Sequence, residues 1–268
     1  MYIIKDLWTN RKLVFNLAKN DFKTKYAGSY LGIVWAFVQP VITVLLYWFV
    51  FEKALNAGTQ STKEGIDIPY VLWLITGLVP WFYFSDALSS VTNTLIDYSY
   101  LVKKVVFNIS ILPGVKVISA LFVHVFFCAF MLFIFACYGY TPDLYTLQIF
   151  YYTFCMMVLV AGIGYVTSAL VVFFRDLSQI VGIALQVGIW VTPIMWNMDA
   201  IDLGALNIVL KANPLFYIVS GYRNALINKV FFWEDPILTI WFWAVAILLF
   251  VLGGNVFKRL KVHFADVL

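Results

Sequence analysis

The chain has 268 residues, of which 63% are hydrophobic, 19% aromatic and 12% charged, with a formal net charge of +4. Soluble domains carry about twice that charged fraction, so a water-soluble fold is excluded and no nucleic-acid partner is expected. The length allows one membrane bundle and leaves no room for a separate soluble domain. The expected fold class is an all-α integral membrane protein, one domain over 1–268, since an isolated strand cannot satisfy its backbone groups in lipid.

The first segment is charged throughout and has neither an apolar h-region nor a small-residue cleavage site, so no signal peptide is expected. Trp8, Phe15 and Phe22 recur every seven residues, with Leu7, Val14 and Ala18 widening one apolar face, and Lys5, Lys12, Lys19 and Lys23 along its edge. This pattern predicts an interfacial amphipathic helix over about 5–26. Arg11, Lys12 and Lys19 are the candidates for admitting a substrate at the headgroup layer. Lys12 and Lys19 share one helix face, and Arg11 lies deeper, where its planar fork suits a phosphate. A plain juxtamembrane anchor is the alternative.

A bilayer core of about 30 Å needs roughly 20 apolar helical residues. Six stretches meet this, at about 31–51, 68–92, 117–138, 147–174, 177–198 and 237–257. On the first, Gly28, Gly32, Trp35, Gln39, Thr43 and Leu46 share one sector. It reads either as a packing seam of small residues or as the wall of a polar path, with Trp35 as a flat surface and Gln39 and Thr43 as hydrogen-bonding groups. On the fifth, Gln179, Gly182, Gln186, Trp190, Pro193 and Asn197 share a stripe. Glutamines facing lipid are costly, so this stripe is expected to face protein or water. The translocation-path candidates are therefore Trp35, Gln39, Thr43, Gln179, Gln186, Trp190 and Asn197. An uncharged polar and aromatic lining suits a hydroxylated chain better than an ion.

Asp86 interrupts the second span near its inner end, where pairing with a basic residue is expected, and His124 is expected to bond to a neighbouring helix. Between spans two and three, residues 95–106 form an expected short helix whose Tyr98, Tyr100, Leu101, Lys103 and Lys104 suit docking of a partner. Asn213-Pro214 is a helix start, and Leu215, Ile218, Val219, Tyr222 and Leu226 then share a face, which predicts a short amphipathic or re-entrant external helix. The sixth span is lipid-tolerant until Gly253 and is expected at the periphery. Cys128, Cys137 and Cys155 lie in apolar runs without metal-ligand spacing, so no metal site is expected.

With the N-terminus inside, thirteen Lys and Arg residues fall in inner segments and five in outer ones, which predicts cytoplasmic termini. The sequence contains no G-x-x-x-x-G-K-[ST] phosphate loop, paired catalytic carboxylates or Ser-His-Asp set. No catalytic site or cofactor is expected on this chain, and energy for uphill transport must come from another.

Lys23-Thr-Lys-Tyr-Ala-Gly-Ser-Tyr-Leu-Gly-Ile-Val-Trp35 through Pro40 resembles the opening of the ABC-2 type permeases that export polysaccharides and teichoic acids. So do Leu101–Phe107 running to Pro113, Phe174–Leu177, Thr192–Ile194, Asn213–Tyr217 with Gly221–Arg223, and the Phe264–Asp266 tail, in order along the chain. Asn108 departs from the proline many relatives carry there. The resemblance implies a homodimer of six-span subunits in the bacterial plasma membrane. Two copies of a separate ATPase subunit would bind ATP and magnesium. It also implies a path lined by spans one and five of both protomers and a coupling helix between spans two and three. Within the family the chain looks most like wall teichoic acid exporters, whose cargo rides on an undecaprenyl-diphosphate-linked sugar pair. An O-antigen or capsular polysaccharide permease is the alternative, followed by a drug or ion efflux permease or a secondary transporter.

Overall fold

A computed structural model describes residues 2–27, 30–54, 59–61, 67–104, 108–198 and 204–268. It is nearly all helical and organised around α4 (Tyr70–Thr92), which is buried along most of its length. α4 carries large side chains on every face, as a helix surrounded by others must. α7 (Leu112–Cys137) and α8 (Gln148–Val171) pack along it, tied by Tyr83 Oη donating to the Val117 carbonyl at 3.1 Å and by a 2.8 Å contact between the Thr92 and Thr167 hydroxyls. α12 (Pro236–Leu260) lies on the far side of α8 and is mostly exposed, in keeping with a peripheral helix. α3 (Trp35–Trp48) leans on α4, is continued by a π-helical turn at Phe49–Ala54, and is also mostly exposed.

Among the described residues, five helical stretches are long and apolar enough to cross a membrane: Gly32–Ala54, Tyr70–Thr92, Ile109–Cys137, Leu144–Val171 and Pro236–Val267. The stretch expected over 177–198 is shorter. α9 (Leu177–Val191) has 15 residues, about 22 Å of helix at 1.5 Å per residue. It stops because Thr192, held extended at φ −78° and ψ 127°, precedes Pro193. The third span begins earlier than expected, at Leu112, because Pro113 fits the first helical turn and Asn108 Oδ1 accepts from Ser110 N to start a 3₁₀ turn before it.

The expected interfacial helix is two helices, α1 (Tyr2–Thr9) and α2 (Arg11–Lys25), separated at Asn10. Its apolar sector is divided. Val14 and Ala18 are buried against Ile111 and Val115, whereas Trp8 and Phe15 stay exposed. The expected helix at 95–106 is also broken at Tyr98, into α5 (Thr94–Asp97) and α6 (Ser99–Lys104); residues 105–107 lie outside the described residues. Both termini, α5 and α6 meet at one end of the bundle, where Ile3, Leu95, Val102, Phe257 and Phe264 form a small core. A two-stranded hairpin, β1 (Thr59–Ser61) with β2 (Asp67–Pro69), precedes α4 at the opposite end. There α10 (Leu206–Ala212) leads into α11 (Pro214–Arg223). Asn213 caps α11, its Oδ1 accepting from Leu215 N at 3.0 Å. α11 is buried nearly all round among α4, α8 and α12, so the external helix is inserted rather than laid on the surface.

Candidate translocation site

Trp35, Gln39 and Thr43 face a cavity of about 440 Å³ between α3, α4 and α7. Gly28, from the same predicted sector, lies outside the described residues, and Gly32 precedes the α-helix in a left-handed turn at φ +52° with no close neighbour. Within this chain the sector is therefore a cavity wall rather than a tight helix seam. Its opposite wall is mixed: Ser85, Asp86 and Ser89 from α4 and His124 from α7 stand among apolar Val79, Phe82, Val123 and Phe127. Lys25, at the end of α2, reaches into it and pairs with Asp86 Oδ1 at 2.5 Å, as the position of Asp86 near a helix end anticipated. Both charged groups are over a third exposed, so the pair orders the cavity mouth more than it stabilises the fold. Thr43 Oγ1 donates to the Gln39 carbonyl at 3.0 Å, which leaves the Gln39 amide and the Trp35 indole N–H as exposed side-chain donors on the α3 wall. That back-bond lies beside Pro40, whose missing N–H opens the helix ladder.

The second predicted stripe lies apart from this cavity. Gln179, Gln186 and Trp190 are all exposed on α9, which contacts α4 and α8 and contributes nothing to the cavity lining. Asn197 is not on that stripe, because the helix has already ended; the residue is half-buried beyond the Thr192–Trp196 turn. α9 lies close on α4 at Gly188, where a Cβ would stand 2.9 Å from the Trp81 ring.

What fixes the end of α9 is Arg223, which the sequence showed as part of the Gly221–Arg223 string but placed in no site. It is 5% exposed. Its Nη1 donates to the Pro193 carbonyl at 2.7 Å and its Nη2 to the Ile194 carbonyl at 2.8 Å, while the guanidinium lies 3.8 Å from the Trp73 ring centroid. The residues after the Thr192 break thus have their carbonyls met by a charged fork from α11. The available signal was an arginine following Tyr222 within an otherwise apolar helix.

His124 Nε2 lies 2.9 Å from Tyr222 Oη and 3.2 Å from Thr153 Oγ1, and those two hydroxyls are 2.8 Å apart. This closed triangle joins α7, α8 and α11, as bonding to a neighbouring helix required.

At the end carrying the termini, Tyr98 does not face outward as a docking residue. Its Oη donates to Asp21 Oδ1 at 2.6 Å, and Lys116 Nζ lies 2.9 Å from Asp21 and 3.1 Å from Asp97. Burial opposes charge on Asp21, but Tyr98 and Lys116 together hold its carboxyl below the ordinary range. The sequence placed Asp21 in no site. Of the other predicted docking residues, Tyr100 and Lys103 are exposed and Leu101 is half-buried. The side chain of Lys104 lies outside the described residues. Lys12 and Lys19 are exposed on α2. Arg11, also exposed, stands at a second, apolar cavity across α7 from the first.

Residues 12–227 match the family model of the ABC-2 type transporter. An O-antigen export system permease protein RfbA from Klebsiella pneumoniae is 29% identical over 264 residues, covering 96% of this chain and 95% of the relative. A protein with the same description from Myxococcus xanthus is 24% identical over 265 residues, covering 98% of each.

Proposed function

Because the chain belongs to the ABC-2 type transporter family, we propose that it is the membrane subunit of an ATP-driven exporter of a lipid-linked polysaccharide of the O-antigen kind. The observation that carries this reading is similarity along almost the whole chain to proteins described as O-antigen export permeases. It moves the cargo away from the teichoic acid that the motif pattern favoured. ATP and magnesium belong to a separate ATPase subunit, two copies of which serve a homodimer in the plasma membrane.

The site chemistry fits a glycan. Trp35 and Trp190 offer flat apolar faces, and Gln39, Gln179 and Gln186 offer paired donors and acceptors without charge. Such groups exchange hydrogen bonds with successive hydroxyls without trapping any one of them. α3 and α9 make no extensive contact within one subunit, so the path forms when a second copy brings its α9 opposite this α3. Exposed Lys12 and Lys19 gather the phosphate end of the carrier, each cation adding about 1 kcal/mol near an anionic surface. The end with α5, α6 and both termini faces the cytoplasm, where the inner lysines and arginines lie.

Tyr100 and Lys103 form the exposed part of the face offered to the ATPase. Since neither is buried, replacing both with Ala should leave membrane insertion intact while reducing ATPase binding and transport-stimulated hydrolysis at least about tenfold, in the range of interface hot-spot losses. Co-purification of the cognate ATPase with the double variant checks this. Full association together with full export would refute the coupling face.

A further inference from the structure

A second cavity, of about 460 Å³, runs between α1 and α2 on one side and α7, α8 and α12 on the other. Its walls are apolar side chains such as Leu7, Val14, Ile118, Met157 and Ile247, and among the described residues Arg11 is the one charged residue that lines it. Along α8 the lining extends from Tyr165 to Phe154. The eleven residue rises between them span about 16 Å of helix, close to the roughly 15 Å that is half of a bilayer core. Phe154 and Ile247 are half-exposed, so the groove opens sideways to the bilayer. Arg11 donates one hydrogen bond, a 3.3 Å contact to the Trp8 carbonyl, and lies 5.5 Å from the Trp8 ring centroid. Most of its five N–H groups remain for a ligand.

We propose that this groove is a binding site for an anionic glycerophospholipid of the adjacent leaflet, with one acyl chain in the groove and its phosphate on the Arg11 fork. Three features select a resident phospholipid over the transported cargo. The groove is one leaflet deep, which matches an acyl chain and not a long polyprenyl tail. It takes no residue from α3 or α9, which carry the polar stripes. It also uses Gly114, Val117 and Ile118 of α7, whereas the polar cavity uses Ala120, Val123, His124 and Phe127, so a molecule in the groove is off the path to that cavity. Arg11 thereby takes a phosphate, as its sequence position implied, but from a lipid that stays. Bound there, the lipid joins α1 and α2 to α8 and α12, adding to contacts such as Tyr2 Oη to the Gly254 carbonyl at 3.2 Å and the packing of Ile3 with Phe257.

The test uses the full chain in phosphatidylcholine nanodiscs doped with phosphatidylglycerol, transferred to detergent, with retained lipid measured by native mass spectrometry. Wild type should retain phosphatidylglycerol over phosphatidylcholine by about fivefold, the ratio one cation supplies at an anionic headgroup. Arg11→Gln should bring that ratio close to one, and Arg11→Lys should restore part of it, since a point charge replaces the fork. Arg11 is exposed, so both variants should melt as wild type does. Equal retention of the two lipids by wild type, or an undiminished preference in Arg11→Gln, would overturn the proposal. Addition of undecaprenyl phosphate gives a third result. If it displaces phosphatidylglycerol from wild type and fails to bind Arg11→Gln, the groove belongs to the cargo carrier and the resident-lipid assignment is wrong.

Discussion

Replacing Arg223 with Ala is expected to lower the stability of the purified protein by roughly 3–6 kcal/mol, a sum built from two charge-assisted hydrogen bonds of about 1.5–3 kcal/mol each. The two carbonyls it serves, Pro193 and Ile194, follow the end of α9 in a segment with little other backbone pairing. Truncation leaves both buried oxygens without the donors they now have and removes the cation from the face of Trp73. A domain with a total stability of about 5–15 kcal/mol loses a large part of it. Arg223→Lys is not a conservative change here. One ammonium cannot bridge both carbonyls while lying flat on an indole, so less than half of the loss should return. Thermal unfolding followed by size-exclusion in detergent measures both variants. An Arg223→Ala protein that melts with wild type would show that α9 is fixed by something other than this fork.

Gly253→Leu is expected to prevent assembly of the bundle. A Cβ at Gly253 would stand 2.5 Å from the Gly162 carbonyl oxygen, and one at Gly162 would stand 2.9 Å from the Phe250 amide nitrogen. The obstruction is backbone on both sides, so α8 and α12 cannot remain in contact unless one of them shifts. Even Gly253→Ala should cost about 1–3 kcal/mol, the range for overpacking a fitted core, and Leu adds a branched side chain in the same place. Gly182 is the control: its Cβ would meet nothing within 4 Å, so Gly182→Ala should fold as wild type does. Monodisperse yield after solubilisation separates the three. A well-folded Gly253→Leu protein would contradict the close approach of these helices.

These two residues mark the boundary of what the sequence made legible. Hydropathy located the long apolar stretches, because burying twenty apolar residues in lipid is a local property of the chain. Helix starts with a chemical signature were equally readable, as at Asn213-Pro214. The break at Asn10 carried no proline or glycine to announce it. It depends on where Ile3 and Val14 find separate partners, Ile3 among Leu95, Leu112 and Phe257, and Val14 against α7. Small residues on one face at Gly28 and Gly32 were legible as either a packing seam or a path wall. A backbone-to-backbone approach of two helices occurs at Gly162 and Gly253, residues 91 positions apart, and no periodicity within one helix registers such a pair. Arg223 and Asp21 are of the same kind, since each is defined by partners from distant segments. The polar stripes on α3 and α9 were readable because they are single-helix patterns. That α3 faces a polar cavity shared with α4 and α7, while α9 does not, required the fold.

We propose that this chain carries a lipid-linked polysaccharide across the membrane at the expense of ATP held by a partner. The most direct measurement is transport in sealed vesicles containing this chain and its ATPase, with lipid-linked O-antigen polysaccharide and lipid-linked teichoic acid supplied separately on the nucleotide side. Our account predicts that O-antigen polysaccharide reaches the far leaflet only with hydrolysable ATP, faster than teichoic acid, and without an ion gradient. Transport that continues without ATP and collapses when a proton or sodium gradient is dissipated would contradict it.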